Sequence, residues 1–459
     1  MSANSTTASP RSQRAEQAGT VLLYGIFGLL LFGPLAFGAT EPWSIFLMEA
    51  GSAALFLLWI GKQVLQDGMK ITWNPIFLPM GVFGLLIVSQ LIFGRVYWGS
   101  AYRHETESKA LLYFAYGLLC FLAGQTLLRG SQARRLALIF SVYGAALAGF
   151  ALIYGISAND KLYWLRLPRN GGWIYGPYVN HNHYAGLMEM LVPIPLVLAL
   201  TQLASTKTRA VAAATAALMV GTIFLSGSRG GMLAIMAELV ILTVLLVKQK
   251  RNLRTAVLVG VFLAMVVGLI LWVGGDAVVK RWAAVSSSHS EISNDVRLNI
   301  DRDAFRMFLK KPVLGWGLGT FPVVYPQFRT FYTNSFVNEA HNDYLQLLAE
   351  MGLLGFGTML WFLLTLYTRA VKKLGNWVGD LSGATALACV LGLTGILVHS
   401  AFDFNLQIPA NAALFYVLCT IAAAKPFAQP ARKRRMARSK PPEETPDSQE
   451  ALPQPATNF

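Results

Sequence analysis

Residues 338–355, NEAHNDYLQLLAEMGLLG, change from polar to apolar within a few positions. The apolar part continues to about residue 367, which is long enough to cross a hydrocarbon core about 30 Å thick. Similar aliphatic runs recur from residue 20 to residue 424. They lack the alternating pattern of barrel strands, so they predict membrane-spanning helices.

The composition also indicates a membrane protein. The 459 residues are 54% hydrophobic and 13% charged, with a mean hydropathy of +0.48, whereas soluble domains carry about 25% charged residues. Much of the formal charge of +15 lies in short loops and in the segment ARKRRMARSK, where membrane topology accounts for it. We therefore expect no nucleic-acid partner. The three cysteines lie in apolar runs and predict neither disulfides nor a metal cluster.

The predicted fold class is all-α, a polytopic membrane protein with about twelve transmembrane helices. Basic residues collect in alternate loops and in both terminal segments, so the positive-inside rule predicts that both termini are cytoplasmic. Residues 1–19 form the N-terminal segment, 20–424 the membrane domain with an outer loop at 274–345, and 425–459 a disordered basic tail. The spans are predicted at 20–38, 44–61, 75–94, 110–128, 136–157, 184–204, 210–226, 231–247, 255–273, 346–367, 383–401 and 409–424.

The outer loop 274–345 is too long for a simple turn and is predicted to be partly helical. Its stretch SNDVRLNIDRDAFRMFLKKP has helical periodicity. Ser293 or Asn294 is a suitable N-cap, and Pro312 would end the helix. The predicted apolar stripe consists of Val296, Ile300, Phe305 and Phe308.

Four polar clusters fall at the predicted outer ends of different spans. They are GPYVNHNHY (176–184), SGSRGG (226–231), NEAHNDY (338–344) and HSAFDFNLQIP (399–409). Ionisable groups at membrane depth are costly, so each cluster is a candidate functional site. The alternative for each is a helix cap or an interfacial anchor, but four clusters at one face favour a shared site.

Arg229 is the candidate for binding an anion. It lies in a very short outer turn, against the inside bias of cations, and its neighbouring glycines permit close approach. A guanidinium binds phosphate in a planar, bidentate way. The alternative is an arginine that reaches up to lipid headgroups. Arg166 and Arg297 are further candidates for binding an anionic substrate.

His341 is the candidate for proton transfer near neutral pH. It precedes a predicted span, which would fix its position, and Glu339 and Asp343 are candidates for orienting its ring. The alternative is a histidine that caps the helix. Asn180, His181, Asn182, Asn342, Tyr344 and Asp403 complete the set of substrate-binding candidates.

A metal site is a weak alternative at these clusters. His181 and His183 have an H-x-H spacing, and His341 would be a distant third ligand. The sequence contains no P-loop and no dinucleotide-binding fingerprint. We therefore expect no metal and no cofactor.

Taken together, the clusters resemble the O-antigen ligase and Wzy-type polymerase superfamily of bacterial inner-membrane glycosyltransferases. The segment HNDYLQLLAEMGLLG is similar to the family signature, and RDAFRMFLKKPVLGWGLGTF to the segment before it. GSRGG, GPYVNHNHYAG and VHSAFDFNLQIPANA resemble further family elements. The resemblance covers roughly residues 170–415.

This resemblance implies a GT-C-like helical fold and a periplasmic active site. The donor would be a glycan on undecaprenyl diphosphate, and the acceptor the lipid A core or another glycan. By matching positions, Arg229 would hold the leaving diphosphate and His341 would activate or orient the acceptor hydroxyl. Arg297 would assist at the donor, while Asn180, His181 and Asn182 would line the site. Transfer would invert the anomeric carbon and need no metal.

Two alternatives stay open at the sequence level. A polymerase of O-antigen or exopolysaccharide repeats would use the same residues, since no acceptor-specific feature separates it from a ligase. A transporter of lipid-linked glycans would place charged groups near the membrane midplane. Three glutamates inside predicted spans keep that second alternative open, namely Glu49, Glu189 and Glu238.

Overall fold

The computed structural model describes residues 10–66, 68–93, 99–157, 161–167, 173–248, 294–333 and 336–427. Within these ranges the chain is helical, with two isolated β-bridges. The helices before the outer loop are α1 (Pro10–Leu35), α2 (Pro42–Leu65), α3 (Phe77–Ile92), α4 (Arg103–Thr126), α5 (Gly130–Ile156), α6 (His181–Leu191), α7 (Pro193–Leu200), α8 (Thr206–Ser226) and α9 (Arg229–Lys248). Those after it are α10 (Asn294–Lys310), α11 (Phe321–Val324), α12 (Asp343–Val371), α13 (Leu381–His399) and α14 (Pro409–Ala423).

The protein is a multi-pass helical membrane protein. Within the described ranges, eight helices are long and apolar enough to cross a bilayer: α1, α2, α5, the α6–α7 pair, α8, α9, α12 and α13. Helices α3 and α14 are apolar but shorter, and α4 occupies the span predicted at 110–128. The span predicted at 255–273 lies outside the described residues. The count of twelve therefore stays a prediction.

The span that begins with the polar segment around His181 is the most enclosed of the eight. Buried residues make up 94% of the apolar window in the α6–α7 pair, against 22% in α2. Proline follows Val192 at the junction, and a proline at the first position suits the start of α7. The polar residues at the start of α6 are therefore held in the middle of the bundle.

The described part of the loop predicted at 274–345 packs against the start of α12. Helix α10 begins at Asn294, as the periodicity predicts, and ends at Lys310, two residues before Pro312. Ile300 and Phe308 are buried as predicted, but Phe305 is 45% exposed. The buried stripe contains Ala304 and Met307 instead, and it packs on the α11 region and on Ala340 and Ala349.

Helix α12 is broken at Gly352, where φ is +61° and ψ is −165°. The segment 312–321 lies in this break. The N–H groups of Trp316 and Gly317 donate to the carbonyls of Ala349 and Glu350, at 2.9 Å each. Beyond the break, the N–H of Leu353 donates to the carbonyl of Pro312 at 2.8 Å. These bonds satisfy the backbone groups that the break would otherwise leave unpaired in a low-dielectric environment.

Two positions in this region require glycine for steric reasons, Gly315 in the segment 312–321 and Gly352 in α12. A Cβ on Gly352 would lie 2.3 Å from the carbonyl oxygen of Val313, and one on Gly315 would lie 2.3 Å from the backbone of Glu350. Both residues also have positive φ angles, which glycine adopts without cost. The Glu350 carboxylate then accepts the N–H groups of Gly319 and Phe321 at 2.8 and 3.1 Å. The first part of α12 and the segment 312–321 therefore form one hydrogen-bonded unit.

Candidate functional site

Three of the four polar clusters meet at Asp403, in the turn between α13 and α14. Its Oδ1 lies 3.7 Å from Nδ1 of His341 and 3.8 Å from Nε2 of His183. The same oxygen accepts the N–H of Phe404 at 2.8 Å. Asp403 is 1% exposed, so its carboxylate faces the two imidazoles rather than an open substrate cleft.

Phe404 lies against both imidazoles. Its ring centroid is 4.7 Å from that of His183 and 4.8 Å from that of His341, with edge-on geometries at both. An edge-on contact with a ring places the aromatic quadrupole favourably and limits rotation of the imidazole. Residues 403 and 404 therefore restrain His341 by charge and by packing.

The electrostatics of Asp403 follow from these contacts. Burial by itself would raise the pKa of this carboxyl, but the neighbouring His183 and His341 rings hold its pKa well below the ordinary value. Asp403 is therefore ionised at neutral pH, and its negative charge lies 3.7 Å from Nδ1 of His341.

His341 itself has an unusual backbone conformation. Its φ angle is +55°, a left-handed conformation that is uncommon for residues other than glycine. The next residue, Asn342, caps α12, since its Oδ1 accepts the N–H groups of Tyr344 and Leu345 at 3.1 and 3.2 Å. Strained residues of this kind cluster at functional sites. The capping function therefore belongs to Asn342 and not to His341.

The structure gives the two predicted orienting carboxylates other partners. Asp343 accepts hydrogen bonds from the Ser400 hydroxyl at 2.8 Å and from the N–H of Leu406 at 3.1 Å. Glu339 accepts from the side chain of Gln346. Asp343 thus fastens the 400–407 turn to the start of α12, and the carboxylate placed against the His341 ring is Asp403.

Arg297 reaches the same turn from α10. Its Nη1 donates to the carbonyl oxygen of Phe402 at 3.0 Å, next to Asp403. Asp301 follows one helical turn later, on the same side of α10. The pKa of Asp301 is raised to about 6 overall. Burial is the largest cause and raises it, while a hydrogen bond with Asn342 and the nearby His341 and Arg297 partly offset this effect. Arg297 therefore lies beside the turn that carries Asp403, and its role at the donor stays a prediction.

Arg229 begins α9 at the same end of the bundle. The hydroxyl of Ser228 caps the helix by accepting the N–H of Gly231 at 3.2 Å. A Cβ on Gly230 would lie 2.3 Å from the ring of His399, and one on Gly231 would lie 2.8 Å from Ala185. The glycines of the SGSRGG turn therefore permit close helix packing, rather than close approach of a ligand alone. Arg229 itself is exposed.

In the polar cluster at 176–184, Asn180 caps α6 and the residues after it pack against neighbouring groups. Asn180 caps α6 by accepting the N–H of Asn182 at 2.8 Å, and Asn182 is buried. His181 stacks on Trp173 with ring centroids 4.3 Å apart, and Trp173 in turn contacts Gly227. The rings at 181 and 183 therefore lie against different neighbours.

Two further candidates have structural partners. Tyr344 donates its hydroxyl to the carbonyl of Leu397 at 2.6 Å, which ties α12 to α13. Arg166 forms a 2.9 Å ion pair with Glu41 and lies over the ring of Phe37, at the corner between α1 and α2. The structure brings neither group into contact with Asp403 or the two imidazoles.

His183 and Asp301 were absent from the sequence-based set of substrate-binding candidates. His183 entered only as a possible metal ligand, and nothing in its local pattern indicates a shared carboxylate 220 positions later. Asp301 had a usable signal, since it lies four residues after Arg297 on one helix face. Among the described residues, no group of three or more His, Cys, Asp or Glu side chains has the arrangement of a metal site.

Two imidazoles beside a buried, ionised carboxylate, with arginines near the starts of two adjoining helices, define a polar site in a multi-pass helical membrane protein. Residues 214–362, about a third of the chain, match the family model described as O-antigen ligase. Over this segment the match supports the resemblance to the O-antigen ligase and Wzy-type polymerase superfamily. The matched segment contains Arg229, Arg297 and His341 and ends before Asp403. A search of curated proteins gave no match.

Proposed function

We propose that the protein transfers a glycan from an undecaprenyl-diphosphate carrier to an acceptor such as the lipid A core, at the periplasmic face of the inner membrane. The observation that carries this proposal is the contact between His341 and the ionised Asp403, beside Arg297. A base oriented by a buried carboxylate is the arrangement used to activate a hydroxyl nucleophile. The family match supports the general class of reaction.

In the proposed reaction, the acceptor hydroxyl approaches Nε2 of His341. The hydroxyl oxygen forms a bond to the anomeric carbon of the donor while its proton passes to Nε2. The bond between the anomeric carbon and the diphosphate oxygen breaks, and the diphosphate leaves with the electron pair. Asp403 stabilises the imidazolium that results. Positioned general bases typically contribute about 10²–10⁴-fold.

The leaving diphosphate carries the negative charge that develops in this step. Arg229, at the start of α9, and Arg297, on α10, are the proposed partners of this charge. Fixed cations stabilise a developing anion more in a water-poor site than in bulk water. The start of a long helix also favours anions, and Arg229 is the first residue of α9.

An apolar cavity supports a lipid-linked substrate. A space of about 1000 Å³ lies between α3, α4 and α12, with Phe83, Tyr113 and Met359 among its lining residues. On α4, Nζ of Lys109 lies 3.4 Å from Oε1 of Gln407, a residue that also donates to Asp343 at 3.3 Å. The helix that lines the cavity therefore also reaches the turn that carries Asp403.

Purified protein in detergent, labelled donor and two acceptors would test the proposal. His341→Ala and Arg229→Ala should each lower transfer at least about 10²-fold and leave the amount of protein in the membrane unchanged. The exposed His104 on α4 provides a matched control, since His104→Ala should keep wild-type activity. Near-normal transfer by both site variants would refute the mechanism.

The same assay separates the alternatives. Product on lipid A core indicates a ligase, and product on a second lipid-linked repeat indicates a polymerase. Release of undecaprenyl diphosphate without nucleotide contradicts pure transport, whereas movement of intact lipid-linked glycan across the membrane supports it. A rate that is unchanged by EDTA agrees with the proposed metal-independent reaction.

A further inference from the structure

A second histidine–carboxylate pair lies inside the membrane bundle, outside the proposed reaction. Nδ1 of His399, the last residue of α13, is hydrogen-bonded to Oε1 of Glu189 on α6 at 2.7 Å. The side chains are 1% and 0% exposed. The other carboxylate oxygen, Oε2 of Glu189, is buried and has no hydrogen-bond partner. Buried ionisable groups in a membrane-spanning bundle are costly, so the pair is a candidate for a function.

One edge of the His399 ring lies against the start of α9. A Cβ on Gly230 would be 2.3 Å from Cδ2 of His399 and 2.5 Å from its Nε2. A Cβ on Gly231 would be 3.1 Å from Oε1 of Glu189. The backbone that follows Arg229 therefore rests directly on the hydrogen-bonded pair.

The backbone of His399 starts the turn that carries Asp403. Its carbonyl oxygen accepts the N–H of Phe402 at 2.8 Å and the N–H of Asp403 at 3.1 Å. Phe402 is also the residue whose carbonyl binds Arg297. His399 thus contacts the Arg229 helix with its ring and the Asp403 turn with its backbone.

We propose that the Glu189–His399 pair positions Arg229 relative to Asp403 and His341. This inference rests on the proposed function, in which those three residues act together on one substrate. The hydrogen bond to Glu189 fixes the orientation of the His399 ring, and the ring fixes where the first turn of α9 lies. Glu189 and His399 are positioning residues because they contact the helix and the turn, while the substrate contacts lie one residue or more away.

Glu189→Leu removes the hydrogen-bond acceptor, whereas Glu189→Gln keeps an acceptor oxygen at the same place. We expect Glu189→Leu to lower kcat about 10²-fold, the loss that a displacement of about 1 Å produces, with KM for the acceptor unchanged. Glu189→Gln should restore kcat to near the wild-type value. Equal losses in the two variants, or a loss confined to KM for the acceptor, would overturn the proposal.

Gly230→Ala is a second variant that leaves the buried pair chemically intact. Its new methyl group must displace the His399 ring or the start of α9, so kcat should fall as it does in Glu189→Leu. Gly149→Ala in α5 is the matched control, because a Cβ there meets nothing within 4 Å. Wild-type kcat in Gly230→Ala would contradict the proposal.

A double-mutant cycle distinguishes positioning from general stability. If the pair acts through Arg229, Glu189→Leu should change the rate little in a protein that already carries Arg229→Ala. Multiplicative losses in the double variant would show that the pair acts independently of Arg229, and would overturn the proposal.

A measurement without glycan transfer separates this inference from the proposed function. The three native cysteines are buried, so a membrane-impermeant maleimide should label Arg229→Cys selectively. Glu189→Leu should change the labelling rate severalfold, and Gly149→Ala should not. Unchanged labelling overturns the positioning inference even if the protein transfers glycan. Altered labelling upholds it even if the wild-type protein transfers none.

Discussion

Asp403→Asn removes one charge at the centre of the candidate site and changes the side-chain size very little. The amide oxygen can still accept the N–H of Phe404, so the turn should keep its shape. The perturbation is therefore electrostatic. Its target is the imidazolium that the proposed reaction forms at His341.

The expected decrease in kcat follows from the distance between Asp403 and His341 and from the burial of both side chains. Unit charges about 4 Å apart interact by about 4 kcal/mol at an effective dielectric constant of about 20. The 3.7 Å contact between Asp403 and Nδ1 of His341, with side chains 1% and 11% exposed, leaves little screening by water. A loss of about 3–4 kcal/mol of stabilisation in the transition state corresponds to a decrease in kcat of about 10²–10³-fold.

Steady-state transfer by purified Asp403→Asn should show this decrease, measured on protein that still folds and inserts into the membrane. Asp380→Asn is the matched control, since it makes the same chemical change at the opposite end of α13. Asp380 caps that helix by accepting the N–H of Gly383 at 2.9 Å, and Asn is an equally good N-cap. A transfer rate for Asp403→Asn within about threefold of wild type would refute the assigned function of the carboxylate.

Two further predictions concern stability. Gly352→Ala should cost about 3 kcal/mol or more of unfolding free energy, because its Cβ would lie 2.3 Å from the carbonyl oxygen of Val313. Gly357→Ala in the same helix is the control: its Cβ meets nothing within 4 Å, so it should not lower the melting temperature. Burial raises the pKa of Asp301 from 3.8 to about 6, so the folded state holds this proton more tightly and stability is lost as the pH rises from about 4 to 6. Asp301→Asn should therefore stabilise the protein at pH 7 by about 1 kcal/mol after allowance for solvent screening. At pH 3 the substitution should have no effect on stability. Identical melting curves for the variant and the wild type at pH 7 would contradict this prediction.

Hydrophobic runs predicted the helices well because each span must satisfy its backbone internally, whatever its neighbours are. Of the predicted spans, 231–247 coincides almost completely with α9. The start of α10 was predictable for a similar local reason, since periodicity and turn residues are encoded within one segment. The buried face of α10 was only partly predictable. Whether Phe305 or Ala304 is buried depends on the surface that the α11 region and the start of α12 present to the helix.

The candidate site was predictable as a set of clusters and unpredictable as a set of contacts. Arg229 and His341 were identifiable because charged or polar groups beside an apolar span are rare. The contact between Asp403 and His183 joins residues far apart in the chain, and no local pattern encodes it. Glu189 was visible as a buried acid, but its partner His399 depends on how α6 and α13 pack. Likewise, the Gly352 break needs the distant segment 312–321 to fill it.

The break in α12 affects how loss-of-function variants should be interpreted. During insertion, residues 343–371 can enter the lipid as one continuous helix, since a straight helix satisfies its own backbone. The broken form also requires residues 312–321 to supply hydrogen-bond partners. Insertion of this span therefore does not in itself depend on the docked segment, whereas the shape of its polar start does. A variant can reach the membrane in normal amount and with normal topology, and still lack the docked segment on which the lip around His341 is built.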